Sequence, residues 1–205
     1  MTRTVLLAAL AAATVLLQAC VPVVIGAGGA AAYSSLEDRR STGTQIDDES
    51  IEVRASNRVS DRFGGRVHVN VTSYNRLTLV TGEVPDEAAR DEVEKIVRAV
   101  PNVRGVTNDL QVAGISSLVS RTNDSYLTSK VRGQLLDTKR VSPVHLKVVT
   151  EAGVVYLMGV VTEAEADEAV DIARNTGGVR KVVKVFEYCQ PNDELCRGGA
   201  KKAGP

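Results

Sequence analysis

The sequence predicts an α+β fold made of one supersecondary unit that occurs twice, over residues 47–113 and 123–188. Three observations predict it. Apolar residues at four-residue spacing open each copy, two short apolar strands follow, and an amphipathic segment precedes a last strand. Each copy is therefore αββαβ. Because both helices must bury an apolar stripe, we expect a two-layer sandwich of two helices on a three-stranded mixed sheet, with a right-handed crossover.

The first helix of each copy is predicted from capping residues followed by a buried stripe. Asp47 and Asp48 open the first copy, and Asn123 and Asp124 open the second, which are residue types that begin helices. The stripes that follow are Ile51, Ala55 and Val59 in the first copy, and Leu127, Val131 and Leu135 in the second.

Two strands come next and are predicted to form an antiparallel hairpin. They are expected over 67–71 and 77–81 in the first copy and over 144–148 and 154–158 in the second, each second strand ending at a glycine, Gly82 or Gly159. The strand over 154–158 is apolar throughout, which is typical of a strand buried on both faces. We therefore expect the first copy, or the segment 113–122, to cover Val155 and Leu157.

A second helix and a last strand complete each copy. The apolar helix positions are Ala89, Val93, Ile96 and Val97 in the first copy, and Ala166, Ala169, Ile172 and Ala173 in the second. Val103 and Val179 begin the last strands. Five acids of the later helix are predicted to form a solvated face: Glu163, Glu165, Asp167, Glu168 and Asp171.

A short apolar run precedes the repeats and closes at Leu17-Gln18-Ala19-Cys20, which has the form of a lipobox. Arg3 gives the segment before the run a positive charge, as in the n-region of a signal peptide. The run itself is shorter than the roughly 20 residues that span a bilayer. We predict a signal peptide over 1–19 and acyl chains on Cys20, the alternative being a plain secretory signal with a chance cysteine. Val21, where aspartate would signal inner-membrane retention, favours the periplasmic face of the outer membrane.

The remaining segments are predicted to lie outside the repeats. Residues 20–46 are expected to be a lipidated N-terminus and flexible tether, 114–122 a linker, and 189–205 a C-terminal tail. Cys189 and Cys196 of the tail are predicted to form a disulfide, because two thiols without a neighbouring histidine supply only half a zinc site.

Composition excludes several functions. The 25 basic and 25 acidic residues balance, which argues against nucleic-acid binding. The sequence has no nucleophile elbow, phosphate loop or metal-ligand spacing, so we predict no enzyme, cofactor, catalytic residue or metal ligand. His68 and His145 occupy equivalent repeat positions, which suggests a paired metal or pH site. Each alternates with inward apolar residues, however, which favours a structural or surface role.

Three stretches, over 42–48, 123–136 and 155–163, together with the αββαβ pattern, resemble the BON domain. Two such domains behind a lipobox are similar to dual BON-domain outer-membrane lipoproteins, and the resemblance covers residues 20–188. It implies binding of anionic phospholipid through the first helix of the second domain, a role in envelope integrity and septal localisation. Outer-membrane assembly or division proteins are the protein partners that we expect.

The residues of that helix agree with this expectation. With the Leu127 stripe inward, Tyr126, Lys130 and Gly133 share an outward stripe. Residues 121–147 carry six basic side chains against Asp124 and Asp137. The predicted lipid-binding residues are Tyr126, Ser129, Lys130, Arg132 and Gly133. The structural alternative is a solvated charged surface in which Gly133 packs against a neighbour.

A second function stays open at this point. A periplasmic adaptor or chaperone-like factor for outer-membrane protein assembly would instead use the groove between the domains or the acidic helix.

Overall fold

The computed structural model describes residues 38–138 and 140–197, so Cys20, the predicted signal peptide and Lys139 lie outside the described residues. The elements of the first repeat are α1 (Thr42–Phe63), β1 (His68–Tyr74), β2 (Leu77–Val84), α2 (Glu87–Arg98), β3 (Gly105–Asn108) and β4 (Gln111–Val112). Those of the second repeat and tail are α3 (Leu118–Thr138), β5 (Leu146–Glu151), β6 (Val154–Val161), α4 (Glu163–Asn175), β7 (Lys181–Tyr188) and α5 (Glu194–Arg197).

Each repeat forms its own mixed sheet with the second strand in the centre. In the first sheet β1 is antiparallel to β2, while β3 and then β4 run parallel to β2 along its other edge. In the second sheet β5 is antiparallel to β6, and β7 is parallel to β6. The helices cover one face of each sheet and bury the predicted stripes there. The predicted fold class is confirmed.

A buried aspartate in the first helix holds each hairpin turn. Asp48 accepts the backbone N–H groups of Asn75 at 2.9 Å and Arg76 at 2.6 Å, two residues with positive φ. Asp124 accepts the N–H groups of Ala152 at 3.0 Å and Gly153 at 2.8 Å in the same way. Two consecutive left-handed residues are the geometry of a tight hairpin turn. The aspartates predicted as helix caps therefore lie inside the helices and cap the turns instead.

Several predicted boundaries differ from the structure. Helix α1 begins at Thr42, capped by the Ser41 hydroxyl, and α3 begins at Leu118, so the ends of the predicted tether and linker are helical. A 3₁₀ turn over Pro143–His145 delays β5 to Leu146. The local composition predicted loops at these positions, because polar and small residues are common both in loops and at the starts of helices.

The central strands also continue past the glycines that were predicted to end them. A side chain at Gly82 would place its Cβ 2.0 Å from the His68 carbonyl oxygen, and one at Gly159 would place it 2.3 Å from the His145 oxygen. Gly82 also has a φ of 118°. Both glycines let the neighbouring strand approach closely.

The sheet faces that the helices leave uncovered pack against each other. Tyr74 and Leu79 of the first sheet meet Tyr156, Met158 and Val160 of the second in one apolar cluster. The order of layers is therefore helix, sheet, sheet, helix. Strand β6 is buried on both faces, as predicted, but the residues expected at the interface were wrong. Val155 and Leu157 lie in the core of their own repeat, and their alternating neighbours face the first repeat.

Polar contacts surround this interface. Glu187 accepts hydrogen bonds from Asn75 Nδ2 at 2.6 Å and Arg104 Nη2 at 3.1 Å, and Lys147 Nζ donates to Glu52 Oε1 at 2.6 Å. Each of these pairs joins one repeat to the other. They fix the relative position of the two sheets around an apolar centre.

Arg39, which precedes α1, contacts the second repeat. Its guanidinium donates to both carboxylate oxygens of Glu165, at 2.7 and 3.0 Å, to the Val160 carbonyl at 2.8 Å and to the Cys196 carbonyl at 3.0 Å. Burial would raise the pKa of Glu165, but hydrogen bonds from Arg39 and Thr162 lower it to about 2. This acid was expected on a solvated face and is instead half-buried.

Residues 189–197 of the C-terminal tail lie beside this contact. Cys189 and Cys196 form a disulfide with their Cα atoms 5.5 Å apart, and Cys189 is buried in the interface cluster.

Substitution of Gly82 by alanine should lower the free energy of unfolding by well over about 1 kcal/mol, because φ and the His68 carbonyl both oppose a Cβ. Urea unfolding measures this. Gly114→Ala is the control, since no described atom lies within 4 Å of its Cβ position. Equal stability of the two variants would contradict the close strand approach.

Glu165→Gln should cost about 2 kcal/mol at pH 7, the usual size of a hydrogen bond to a charged group. Because the folded pKa is lowered, the stabilisation is fully present above the ordinary value of 4.5 and is lost as pH falls toward 2. The stability difference from the parent protein should therefore shrink across this window. A difference independent of pH, or an equal effect of the exposed Glu163→Gln, would contradict the assignment.

Candidate functional site

Helix α3 is apolar on two sides. Its inner side buries Leu127, Val131 and Leu135 against the second sheet. On its outer side four large side chains are exposed, Leu118 by 77%, Val119 by 80%, Tyr126 by 63% and Leu136 by 59%. A surface helix normally has one apolar stripe, directed at the core. The four exposed side chains therefore form a second, outer stripe on α3, which is a candidate binding surface.

The outer stripe follows helical spacing along the whole of α3. Between the large residues lie Thr122, Ser129 and Gly133, so small side chains alternate with large ones on the same side. Sequence reasoning missed Leu118, Val119 and Leu136. The first two fell in the predicted linker, and the signal that would have found them is the helical spacing continued from Tyr126 toward the N-terminus by seven and eight residues.

The structure divides the predicted lipid-binding residues into two groups. Tyr126, Ser129 and Gly133 lie on the outer stripe, and the Ser129 hydroxyl donates to the Ser125 carbonyl at 3.0 Å. Lys130 and Arg132 lie at its two borders. Lys130 Nζ donates to the Gly177 carbonyl at 3.0 Å, and Arg132 Nη2 donates to the Val148 carbonyl at 3.2 Å. Cations thus flank an apolar stripe on both sides.

Gly133 has space around it. No described atom lies within 4 Å of the position its Cβ would take, so packing against a neighbour does not explain it. A glycine inside a helix costs about 1 kcal/mol relative to alanine. The helix therefore has a flat point, a position without a side chain, in the middle of the exposed stripe.

The positive charge of this region is smaller than the sequence count predicted. Lys147 pairs with Glu52 of the first repeat, Arg140 pairs with Glu168, and Lys139 lies outside the described residues. Lys130 and Arg132 remain beside the stripe. The matching helix of the first repeat, α1, has five acidic and three basic residues, so the two repeats differ in the charge they present.

A small pocket lies next to the stripe. It has a volume of 230 Å³ and is lined by Arg132, Leu135, Leu136, Pro143, Leu146 and Val148.

Over residues 38–138 and 140–197, none of the helices combines the length and apolar character needed to cross a bilayer.

A second cluster lies where the two repeats meet. His68 Nδ1 is 2.8 Å from Glu83 Oε2 and 3.9 Å from Glu151 Oε1, and Asn70 Nδ2 donates to Glu151 Oε2 at 2.7 Å. Burial raises the pKa of Glu151, an effect that Asn70 and His68 oppose. A structural or surface role was expected for the histidines, and the side chains of His68 and His145, only 15% and 14% exposed, fit the structural alternative.

Comparisons with known proteins agree with this geometry. The family model described as BON domain matches residues 47–114 and 123–190. The chain is 41% identical over 184 residues to outer membrane lipoprotein DolP of Haemophilus influenzae, covering 89% of this chain and 95% of that protein. It is 33% identical to a 21 kDa hemolysin of Actinobacillus pleuropneumoniae, covering 75% and 80%. It is 29% identical to osmotically-inducible protein Y of Escherichia coli, covering 68% and 72%.

The two matched segments coincide with the two αββαβ repeats, and the similarity to DolP extends over nearly the whole of both chains. The protein is a member of the BON-domain family with two BON domains in tandem.

Proposed function

We propose that the protein is an outer-membrane lipoprotein whose second BON domain binds anionic phospholipid through the outer face of α3. The observation that carries the proposal is the exposed apolar stripe with Lys130 and Arg132 at its borders. The name of the Haemophilus relative supports the location. In this proposal the protein supports envelope integrity and has no catalytic role.

The stripe has the chemistry of an interfacial helix. Such helices lie in the headgroup region with their apolar face toward the acyl chains and basic residues beside it. Leu118, Val119 and Leu136 supply apolar area, and Tyr126 supplies a ring with a polar tip that suits the boundary. Gly133 and Ser129 leave room for headgroups between these side chains.

The charges give the preference for anionic lipid. A basic residue near an anionic membrane surface contributes about 1 kcal/mol, so Lys130 and Arg132 together change affinity by more than tenfold. The hydrogen bonds that they make are to backbone carbonyls, which leave the positive charge unneutralised. Exposed acids on the neighbouring helix α4, Glu163, Asp167 and Asp171, disfavour contact through that helix and orient the domain.

The lipid anchor adds to this binding. Acyl chains on Cys20, at the periplasmic face, hold the domain next to the bilayer and raise the effective concentration of α3 at its surface. At this high effective concentration, α3 contacts the membrane even if its own affinity for lipid is weak.

The first test compares liposome co-sedimentation of residues 21–205 with that of a Tyr126→Ala/Lys130→Glu double variant. The parent chain should bind vesicles that contain phosphatidylglycerol, bind phosphatidylcholine vesicles weakly, and lose binding as salt rises. The double variant should lose at least about tenfold in affinity, since it removes the interfacial ring and reverses one charge.

The matched control is Arg54→Glu, which makes the same charge change at the equivalent position of α1 in the first repeat. Arg54 is exposed, so its replacement should leave both folding and vesicle binding unchanged. Equal loss in this control would show a nonspecific charge effect. Absence of binding by the folded parent chain would favour the adaptor function, although the groove between the domains is filled by the Tyr74–Met158 cluster.

Gly133→Ala gives a second test, because stability and binding should move in opposite directions. The free energy of unfolding should rise by up to about 1 kcal/mol, since alanine is the better helix residue and meets no described neighbour. Vesicle affinity should fall several-fold because a methyl group occupies the flat point of the stripe. Tighter or unchanged binding by this variant would contradict a close approach of lipid at Gly133.

A further inference from the structure

Three ligand-type side chains converge at the junction of the two BON domains. His68 and Glu83 are directly opposite each other on β1 and β2 of the first domain, and Glu151 ends β5 of the second domain. One ligand atom from each lies within 4.8 Å of the others, and both glutamates are buried. The three side chains therefore come from two separate domains.

We propose that His68, Glu83 and Glu151 bind one divalent transition-metal ion of the zinc type, which joins the two BON domains. An imidazole with two carboxylates is a donor set that zinc accepts, with three protein ligands and a fourth position for water. A metal at this place has a structural function, because its ligands come from both sides of the domain interface.

The distances fit a small adjustment on metal binding. Ligand atoms about 2.0–2.2 Å from a tetrahedral zinc ion lie roughly 3.3 Å apart. The Nδ1 atom of His68 is 2.8 Å from Glu83 Oε2 and 3.9 Å from Glu151 Oε1, so the two separations bracket that value. All three ligand atoms lie within 4.8 Å of one another, so rotation of the carboxylate side chains would bring them into coordination.

The charge of the cluster also favours a cation. Two buried carboxylates face a single imidazole, and the carboxylate of Asp124 lines the same pocket. Arg121 lines the same pocket, but its guanidinium donates to the Ser116 carbonyl at 2.9 Å. Buried carboxylates without full compensation are unfavourable, and a dication removes this cost.

Neighbouring groups position the proposed ligands and leave a route for the ion. Asn70 Nδ2 donates to Glu151 Oε2, and the Ser116 backbone N–H donates to Glu83 Oε2 at 3.2 Å. Outer hydrogen bonds of this kind orient metal ligands. A pocket of 330 Å³, lined in part by His68, Asn70, Asp124 and Glu151, opens onto the cluster.

The second repeat does not have an equivalent of this His–Glu pair. Gly82 and Gly159 are equivalent, so Val160 occupies the position of Glu83 in the second copy. His145 has its Nδ1 atom 3.4 Å from Glu165, whose carboxylate also pairs with Arg39. The equivalent histidine therefore provides an internal control.

The experiment measures zinc binding by the mature lipoprotein in detergent after removal of metal with EDTA. Titration with ZnCl₂, checked by elemental analysis, should give one ion per chain. Glu83→Gln and Glu151→Gln, which keep side-chain shape, should each weaken binding by at least about tenfold, while His145→Gln should bind like the parent. Urea unfolding without metal confirms that each variant is folded.

A second measurement tests the structural function. ZnCl₂ should raise the Tm of the parent protein, because an ion that binds only the folded state stabilises it, and should not raise that of Glu151→Gln. Equimolar MgCl₂ should have no such effect on either. The proposal is overturned if the parent binds no zinc, if binding survives either glutamate substitution, or if His145→Gln abolishes it.

Discussion

The apolar layer between the two sheets is the contact on which the arrangement of this protein depends. Units of about 65 residues with few aromatic side chains bury little surface and are only marginally stable alone. Packing Tyr74 and Leu79 against Tyr156, Met158 and Val160 gives each sheet a second buried face. The two BON domains are consequently one structural unit over the described residues, and the Arg39–Glu165 contact and the Cys189–Cys196 disulfide lie at its border.

This central layer also decides which surfaces stay available. With the sheets inside, the helices form the two outer layers, and one of them presents the exposed stripe of α3. The same helix packs on its own sheet through Leu127, Val131 and Leu135 and holds the β5–β6 turn through Asp124. The packing of α3 on its own sheet therefore fixes which side of the helix faces outward.

The two repeats share a scaffold and differ in the face of their first helix and in one buried position after the strand glycine. Both use a buried aspartate to hold the hairpin turn and a glycine to bring the first two strands together. The first repeat then carries an acidic helix and Glu83, and the second carries the exposed apolar stripe and Val160. The two copies therefore share the residues that backbone geometry requires and differ at other positions.

The sequence by itself determined the αββαβ repeat, the inward stripes and the paired cysteines, because each depends on periodicity or spacing within a short segment. The helix of the proposed lipid site was indicated by the resemblance to the BON domain. Only the tertiary structure decided that Tyr156 and Met158, rather than Val155 and Leu157, face the first repeat. A uniformly apolar strand indicates two buried faces without saying which partner covers each. The start of α3 at Leu118 and the meeting of His68 with Glu151 were likewise decided by contacts between distant segments, which no local pattern records.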